Sequence, residues 1–464
     1  MISPSVHSET IAAISTPPGA GGIGIIRMSG PRALSVLKRV FVPRDPSCRY
    51  QSHRLYYGCI HDPHDQRIMD EVLAVFMAAP RTYTREDVVE VHCHGNFLVL
   101  QSVLELVLAQ GVRLAEAGEF TKLAFLNGRI DLTRAEAVID VLAAKTRKGL
   151  DLAVQQLAGS LYDQVDRIRK SLVEMRALVE VAIDFPDEDI EIVNHEQLAH
   201  RLKSEVLEPL TLLLRHADQG RVFREGISVV ILGLPNVGKS SLLNTLLQEE
   251  RALVTAIPGT TRDTIEEYVD IRGVPVRLVD TAGIRDGAEE VEEMGIRRAR
   301  EQMARADLVL FMVDLSRELT VADRDLYAAV RHKPLILVAN KLDLADGVRS
   351  DVQKMVGEGQ VLVRISARGQ QGIEELKDAV FAAVTGGREQ WQEEACAPNL
   401  RHRQALVRAR AAAELALQGL ADQQTSDLLA IDLQECLGQL DEIVGVTTTE
   451  DVLDVIFEQF CLGK

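Results

Sequence analysis

The sequence predicts a multidomain α/β protein: an N-terminal α+β domain, an all-α helical domain, and a Ras-like doubly wound P-loop domain inserted into the helical one. Three observations carry this. The chain has 464 residues, more than one hydrophobic core ordinarily serves. A β-branched apolar run, Val229 to Leu232, leads directly into Gly233-x-x-x-x-Gly238-Lys239-Ser240 and then into the helix-compatible Leu242-Leu243-x-x-Leu246. That is the strand, loop, helix order of a phosphate-binding loop. Helix-periodic segments stand on both sides of this α/β stretch, and a compact domain with close termini can be inserted into another. The boundaries read as 1–125, 126–222, 223–386 and 387–464.

Composition narrows the class. A formal charge of −17 argues against gripping nucleic acid by general electrostatics, which needs clustered Lys and Arg. An RNA partner would need a local basic patch or a second protein. The six cysteines, Cys48, Cys59, Cys93, Cys396, Cys436 and Cys461, lack C-x-x-C spacing, so neither a zinc ribbon nor a disulfide framework is suggested. A reducing cytoplasm fits them. The first residues have no basic segment, Ile11–Ile14 is too short for a signal core, and no apolar run is long enough for a membrane span.

In chain order, Gly19-Ala-Gly21-Gly-Ile-Gly24 satisfies G-x-G-x-x-G. Yet Pro17-Pro18 precedes it and the strand-like Gly24-Ile-Ile-Arg27-Met-Ser-Gly30 follows, the wrong order for a dinucleotide site. A glycine turn in a β-rich domain is the better reading. Strands are expected near Leu55–Ile60 and Glu71–Met77, then at Glu86–Asn96, before a helix from Phe97 to Ala109. His92 and His94 share a strand face, either as a metal pair or, with no third spaced ligand, as polar residues at a strand end, which is favoured. Thr133-x-x-Glu136 reads as a capping box opening helices that persist to about Ile183. Pro186, in the acidic run Asp184–Asp189, ends them; a solvated loop suits that run better than a metal site. Another helix is expected over Gln197–His216. Beyond the α/β stretch, Leu406, Ala409, Ala413, Leu417 and Leu420 form one helical stripe. Leu429, Leu433, Cys436 or Leu437, Leu440 and Ile443 form a second, and Thr447-x-x-Glu450 caps a last helix.

The α/β stretch carries chemistry. Strands at Val274–Val279, Leu308–Val313, Leu335–Val338 and Val361–Ile365 alternate with helices. Asn236, Val237, Gly238, Lys239, Ser240 and Ser241 would wrap the phosphates, with Ser240 and Thr261 as Mg²⁺ hydroxyls. Asp280-Thr281-Ala282-Gly283 closes one strand, Asp280 toward magnesium through water and the Gly283 N–H toward a γ-phosphate. Asn340-Lys341-x-Asp343 closes another: a carboxylate there accepts from guanine N1–H and its amine, a donor pair that adenine lacks. Ser366-Ala367-Arg368 follows, with the Ala367 N–H expected at guanine O6. Four motifs in order indicate a GTP-hydrolysing domain. Ile284 stands where many small GTPases place a water-orienting Gln, so another group must position the water. No arginine finger presents itself, although Arg285 is a candidate catalytic residue. Glu289–Glu293 supplies candidate bases or an exposed helix face. Asn236 puts an oxygen beside the phosphates, where a monovalent cation could bind.

Gly19–Gly30, Glu119-Phe-x-x-x-Ala-Phe-Leu-Asn127-Gly-Arg129-x-Asp-Leu132, Ala182-Ile-Asp-Phe-Pro-Asp-Glu188 and the terminal Phe460-Cys461-Leu-Gly-Lys464, together with Asn236 and Thr260-Thr261-Arg-Asp263, resemble the MnmE (TrmE) family of tRNA modification GTPases over essentially the whole chain. The resemblance implies a homodimer formed through an N-terminal tetrahydrofolate-binding-like domain. It also implies a heterotetramer with the FAD protein MnmG, and aminomethyl or carboxymethylaminomethyl addition at C5 of the wobble uridine of certain tRNAs. Arg27, Glu90, Arg129 and Lys464 match folate positions, the donor being 5,10-methylenetetrahydrofolate or a related folate. Asn236, Thr255, Ile257 and Thr260 match potassium ligands, and Glu292 matches the residue credited with organising catalytic water; Thr255 and Thr260 also count among the GTP-binding positions. Asn96 departs from a common glycine, and Leu462 from a common isoleucine. Asn96 is expected to keep the turn by tolerating positive φ. Cys461 is a candidate reactive thiol; Gly463 and Lys464 fit a prenylation box poorly. The alternative is an Era-type ribosome-assembly or signalling GTPase that binds RNA without modifying it, which leaves residues 1–220 and the terminal motif without a role.

Overall fold

The computed structural model describes residues 9–184, 194–250, 268–280, 306–345, 350–357, 360–387 and 396–464. The chain divides into two compact units. One runs up to Ile139 and includes Leu437–Lys464; the other takes in the described residues from Asp140 to Cys436.

In the first unit, β1 (Ile11–Ile14), β2 (Gly21–Ser29), β3 (Phe41–Pro43), β4 (Arg54–His61), β5 (Ile68–Met77), β6 (Val88–Gly95) and β7 (Arg113–Leu114) form one sheet in the order β3-β4-β5-β6-β2-β1-β7. All pairings are antiparallel except β1 with β7. Alternate residues such as Ile26, Met28, Val89 and Val91 are buried beneath α1 (Ala33–Val40) and α2 (Phe97–Ala109), the period-2 pattern of a sheet with one covered face. The strand β1 was not apparent in the sequence. Gly21–Gly24 is also strand, with irregular pairing between Gly21 and Gly24, where a turn was expected. A Cβ on Gly24 would sit 2.4 Å from Leu100 Cδ1 of α2, so the bare backbone is what lets that helix lie close. Asn96 is extended (φ −118°) and caps α2, accepting from Leu98 N at 2.9 Å; no positive φ is needed. Two further helices follow, α3 (Glu119–Leu126) and α4 (Leu132–Ala143). Asp131, rather than Thr133, caps α4, since its Oδ1 accepts from Arg134 N at 3.1 Å and from Thr133 Oγ1. The last helix, Glu450–Phe457, is likewise preceded by Thr449 as N-cap instead of Thr447. Its Leu453, Ile456 and Phe457, with Phe460, bury against Leu132 and Ala135.

In the second unit, β8 (Ile227–Leu232), β9 (Tyr268–Ile271), β10 (Val274–Asp280), β11 (Leu308–Asp314), β12 (Leu335–Asn340) and β13 (Val361–Arg364) run in the order β13-β12-β11-β8-β10-β9. All neighbours are parallel except β9 and β10. Unbroken burial along β8, β11 and β12 is what a parallel sheet covered on both faces requires. Helices α5 (Arg147–Ala158) and α6 (Ser160–Asp184) precede it, as does a longer helical stretch than expected: His195–Arg201, a π-helical turn at Leu202–Leu207, and α8 (Glu208–Glu225), with α7 denoting the first of these. Leu152 of α5 and Phe223 of α8 join the core of the sheet, and the Thr146 hydroxyl donates to Gly273 O at 2.8 Å. The helical and α/β parts of this unit therefore share apolar and polar contacts. Among the described residues no helix is long and apolar enough to cross a membrane.

Candidate functional site

Strand ends of a doubly wound sheet gather loops at one edge. There β8 passes into the loop before α9 (Lys239–Glu250). Asn236 in that loop has φ +63°, a left-handed conformation that Asn tolerates better than other side chains. Gly238 has φ +100°, and a Cβ on it would fall 2.2 Å from Asn340 Nδ2; only glycine lets the loop approach β12 so closely. Asn340, itself buried, donates from Nδ2 to Val237 O at 2.7 Å and accepts at Oδ1 from Ala367 N at 3.0 Å. One side chain thus ties three motifs together, and the Ala367 N–H expected at guanine O6 is engaged by it. Lys239 Nζ donates to Gly233 O at 3.1 Å and to Leu234 O at 3.0 Å. Ser366 Oγ donates to Asp343 Oδ1 at 2.6 Å and accepts from Gly369 N at 3.0 Å. Ser240, Ser241 and Arg368 are exposed. The backbone of Asp280 ends β10, paired with Ile231. Thr255, Ile257, Thr260, Thr261, Thr281, Ala282, Gly283, Arg285 and Glu292 lie outside the described residues.

Asp314 is the residue that sequence reasoning passed over. It ends β11, directly opposite Asn340 in register, and accepts from Lys341 Nζ at 2.6 Å and from Ser316 N and Oγ at 2.8 and 2.6 Å. Burial pushes its pKa up, but Lys341 and Ser316 outweigh that and hold it below the usual carboxylate range. The available signal was an aspartate closing an otherwise apolar strand. With Lys341 so fixed and left-handed at φ +67°, its stem and Asp343 are set on a rigid strand end.

A second constellation lies in the first unit. Arg27 and Glu90 face each other across β2 and β6, with Nε 2.8 Å from Oε1. The other carboxylate oxygen is 3.5 Å from His92 Nε2. The Arg27 guanidinium lies 5.7 Å from the Phe120 ring centroid, and Phe120 N donates to Lys464 O at 3.1 Å. Leu462 bridges Ala117. The chain's last residues are therefore seated beside Arg27. Arg129 stacks at 4.8 Å over Tyr83, whose hydroxyl is 3.0 Å from Thr121 Oγ1. The two histidines do not converge on a metal: His94 pairs with Asp70 at 2.6 Å, and no metal-holding group of three or more such side chains occurs among the described residues. Cys461 is exposed.

Two family models match the chain: the GTP-binding protein TrmE N-terminus over residues 10–129 and the MnmE helical domain over residues 132–461. The tRNA modification GTPase MnmE of Desulfotalea psychrophila is 60% identical over 98% of this chain and 98% of its own length. The proteins of that name from Geobacter sulfurreducens and Natranaerobius thermophilus are 48% and 44% identical, each over 98% of this chain and 99% of theirs. Among solved structures, Aquifex aeolicus Era bound to GDP and AlF4⁻ is 26% identical, covering 40% of this chain and 66% of that one, with a TM-score of 0.28. The G domain of the T. maritima FeoB iron transporter is 25% identical, covering 34% and 98%, with a TM-score of 0.26.

Proposed function

This chain belongs to the MnmE family of tRNA modification GTPases, and we propose that it couples potassium-dependent GTP hydrolysis to one-carbon transfer from a folate onto C5 of the wobble uridine of certain tRNAs. In this reading it acts as a homodimer, joined by an FAD protein of the MnmG type in a heterotetramer. The observation that supports the folate half is the meeting of Arg27, Glu90 and the Lys464 terminus around Phe120. A pterin ring presents adjacent N–H donors to a carboxylate much as guanine does, and Glu90, oriented by Arg27, supplies the acceptor pair. Arg129 and Lys464 supply positive charge for the rest of a 5,10-methylenetetrahydrofolate or related molecule.

On the nucleotide side, Lys239 reaches the terminal phosphates, and the Ser240 and Thr261 hydroxyls hold Mg²⁺. Asn236, with Thr255, Ile257 and Thr260, supplies oxygens for K⁺, which neutralises charge where no arginine finger is provided. Asp280, Thr281, Ala282 and Gly283 follow the γ-phosphate. Glu292, with Arg285 near it in sequence, orients the water that Ile284 cannot. The absence of a Cβ on Gly238 lets the loop lie against Asn340, and a glycine-rich loop of this kind turns its backbone N–H groups toward a phosphate chain.

Calorimetric titration with 5-formyltetrahydrofolate tests the folate half: the parent is expected to bind, and Arg27→Ala to lose about tenfold or more, as for a charge-assisted hydrogen bond removed. Silence from both proteins rejects that half and leaves the GTPase untouched. Equal GTP turnover in potassium and sodium at one ionic strength would remove Asn236 from its role. Co-expression with the flavoprotein, followed by mass spectrometry of tRNA uridines, checks the product.

A further inference from the structure

In the first unit a cavity of 510 Å³ is lined by His53, Arg81, Arg85 and Arg129 together with Met77 and Tyr83, and no Asp or Glu is among its described lining residues. In a chain of formal charge −17, three arginines lining one concavity run against the overall composition. Arg81 makes no hydrogen bond or ion pair with the described residues. Arg85, held at φ +60°, donates one N–H to Asn127 O at 2.8 Å. The Arg129 guanidinium carbon lies 4.8 Å from the Tyr83 ring centroid, and a guanidinium held against a ring face can still donate to a ligand. Like charges gathered this way repel one another, so the arrangement suits a ligand carrying several negative charges.

We propose that this cavity receives the carboxylates of a γ-linked glutamyl tail, so that the protein selects polyglutamylated folate over the monoglutamate. The proposal rests on the folate reading above, because Arg129 belongs both to that residue set and to the cavity wall. Tyr83, beneath Arg129, is joined through Thr121 to the neighbourhood of Phe120 and Arg27. Packed side chains thus link the cavity wall to the Arg27 neighbourhood within this unit. Each glutamate of such a tail adds one planar carboxylate, matched to the fork of a guanidinium. The aromatic ring ahead of the tail finds Tyr83 and Met77 on the same wall. Phosphates of RNA also pair with arginine, but the arginine shared with the folate residue set points to the folate.

The full chain is titrated calorimetrically with the mono- and pentaglutamate forms of 5-formyltetrahydrofolate at low and physiological salt. The pentaglutamate is expected to bind about tenfold tighter at low salt, as two or three partly screened ion pairs allow, with the advantage shrinking as salt rises. Arg81→Gln should reduce that advantage. The double change Arg81→Gln with Arg85→Asn, in which Asn accepts the left-handed backbone, should abolish it, while Arg81→Gln alone keeps monoglutamate affinity within about twofold because Arg81 is outside the folate residue set. Equal affinities in the parent overturn the inference and leave the folate reading standing. Absence of both heats overturns the folate reading and the inference with it. A double variant that keeps the pentaglutamate advantage but loses an anticodon stem-loop RNA would assign the cavity to RNA and refute the proposal.

Discussion

Gly463→Ala measures how firmly the chain's last residues are built into the Arg27 site. Gly463 has φ +88°, and a Cβ there would lie 2.2 Å from Ile14 O, 2.9 Å from Ile14 C and 3.0 Å from Ser15 Cα. These are backbone atoms at the end of β1, where Ile14 is paired with Ile26 of β2 and Ser15 N donates to Ile25 O at 2.8 Å, so they yield little. The left-handed conformation alone costs alanine about 1–2 kcal/mol. Relief of the clash needs a shift of about 1 Å, which the tail can make only by lifting. Lifting forfeits the bond from Phe120 N to Lys464 O, and a buried donor left unpaired costs about 1–3 kcal/mol. Leu462 is 61% exposed and Cys461 is exposed as well, so little apolar burial holds the tail down against a total of about 2–5 kcal/mol. The variant should therefore bind 5-formyltetrahydrofolate no better than Lys464→Ala, about tenfold or more below the parent. Fluorescent GDP titration of the same preparation is the control and should not change. A Gly463→Ala protein that binds folate like the parent, while Lys464→Ala does not, would refute the claim that this seat positions Lys464.

Asn340→Asp keeps the bond from Ala367 N but turns an acceptor toward Val237 O; GDP affinity should fall about 30-fold, the equivalent of about 2 kcal/mol, and a loss under about threefold by fluorescent-nucleotide titration would show that the tie is dispensable. Burial pushes the Cys93, Cys396 and Cys436 thiols up to about 12, whereas Cys461 is exposed. Iodoacetamide at mildly alkaline pH should therefore alkylate Cys461 in the native protein and reach those three only on unfolding; peptide mass spectrometry reads this, and equally fast labelling of Cys436 would contradict it. The hydrogen bond to Asp70, and then its charge, raise the His94 pKa above 6.5. The pair's contribution to stability is thus complete below about 6.5 and lost as pH rises through the raised value. NMR titration should place the His94 inflection above that of a free imidazole and Asp70→Asn should lower it; an unmoved inflection would reject the coupling.

Features written in adjacent residues were legible in the sequence, and those made by distant ones were not. Ile227–Leu232 is apolar at every position but Ser228 because both faces of its strand are buried, and the loop and α9 follow by motif. Asp314 carries no motif of its own; its meaning comes from register with Asn340 on the next strand. The pattern Thr-x-x-Glu occurs at Thr133 and Thr447, but the helices begin where the chain leaves its turns, at Asp131 and Thr449. Thr133 is fully buried inside the first turn, where its hydroxyl donates to Asp131, so the cap falls to the earlier residue. Ile11–Ile14 is too short to display a period, yet it becomes the strand to which the chain's last residues attach. Arg27 and Glu90 are 63 positions apart, and only the family resemblance suggested them together.

In the proposed function Asp343 and Glu90, in separate units, meet the same physical problem. A carboxylate that reads a ring by accepting from two of its N–H donors must be held in one plane before the ring arrives, or the ordering of its rotamers is charged against binding. Asp343 is held through Ser366 Oγ, which is itself fixed by Gly369 N. Glu90 is held through Arg27, which is fixed by pairing across two strands and by the Phe120 ring below it. A hydroxyl would leave Asp343 its full charge for a guanine, as proposed, and costs little when a ring competes for the oxygen. A guanidinium binds Glu90 more strongly, so a ligand there must bring donors good enough to share the carboxylate with Arg27, or acceptors that Arg27 can turn toward. Such a site discriminates against neutral rings lacking a donor pair, because they would bury the Arg27–Glu90 pair without replacing its lost hydration.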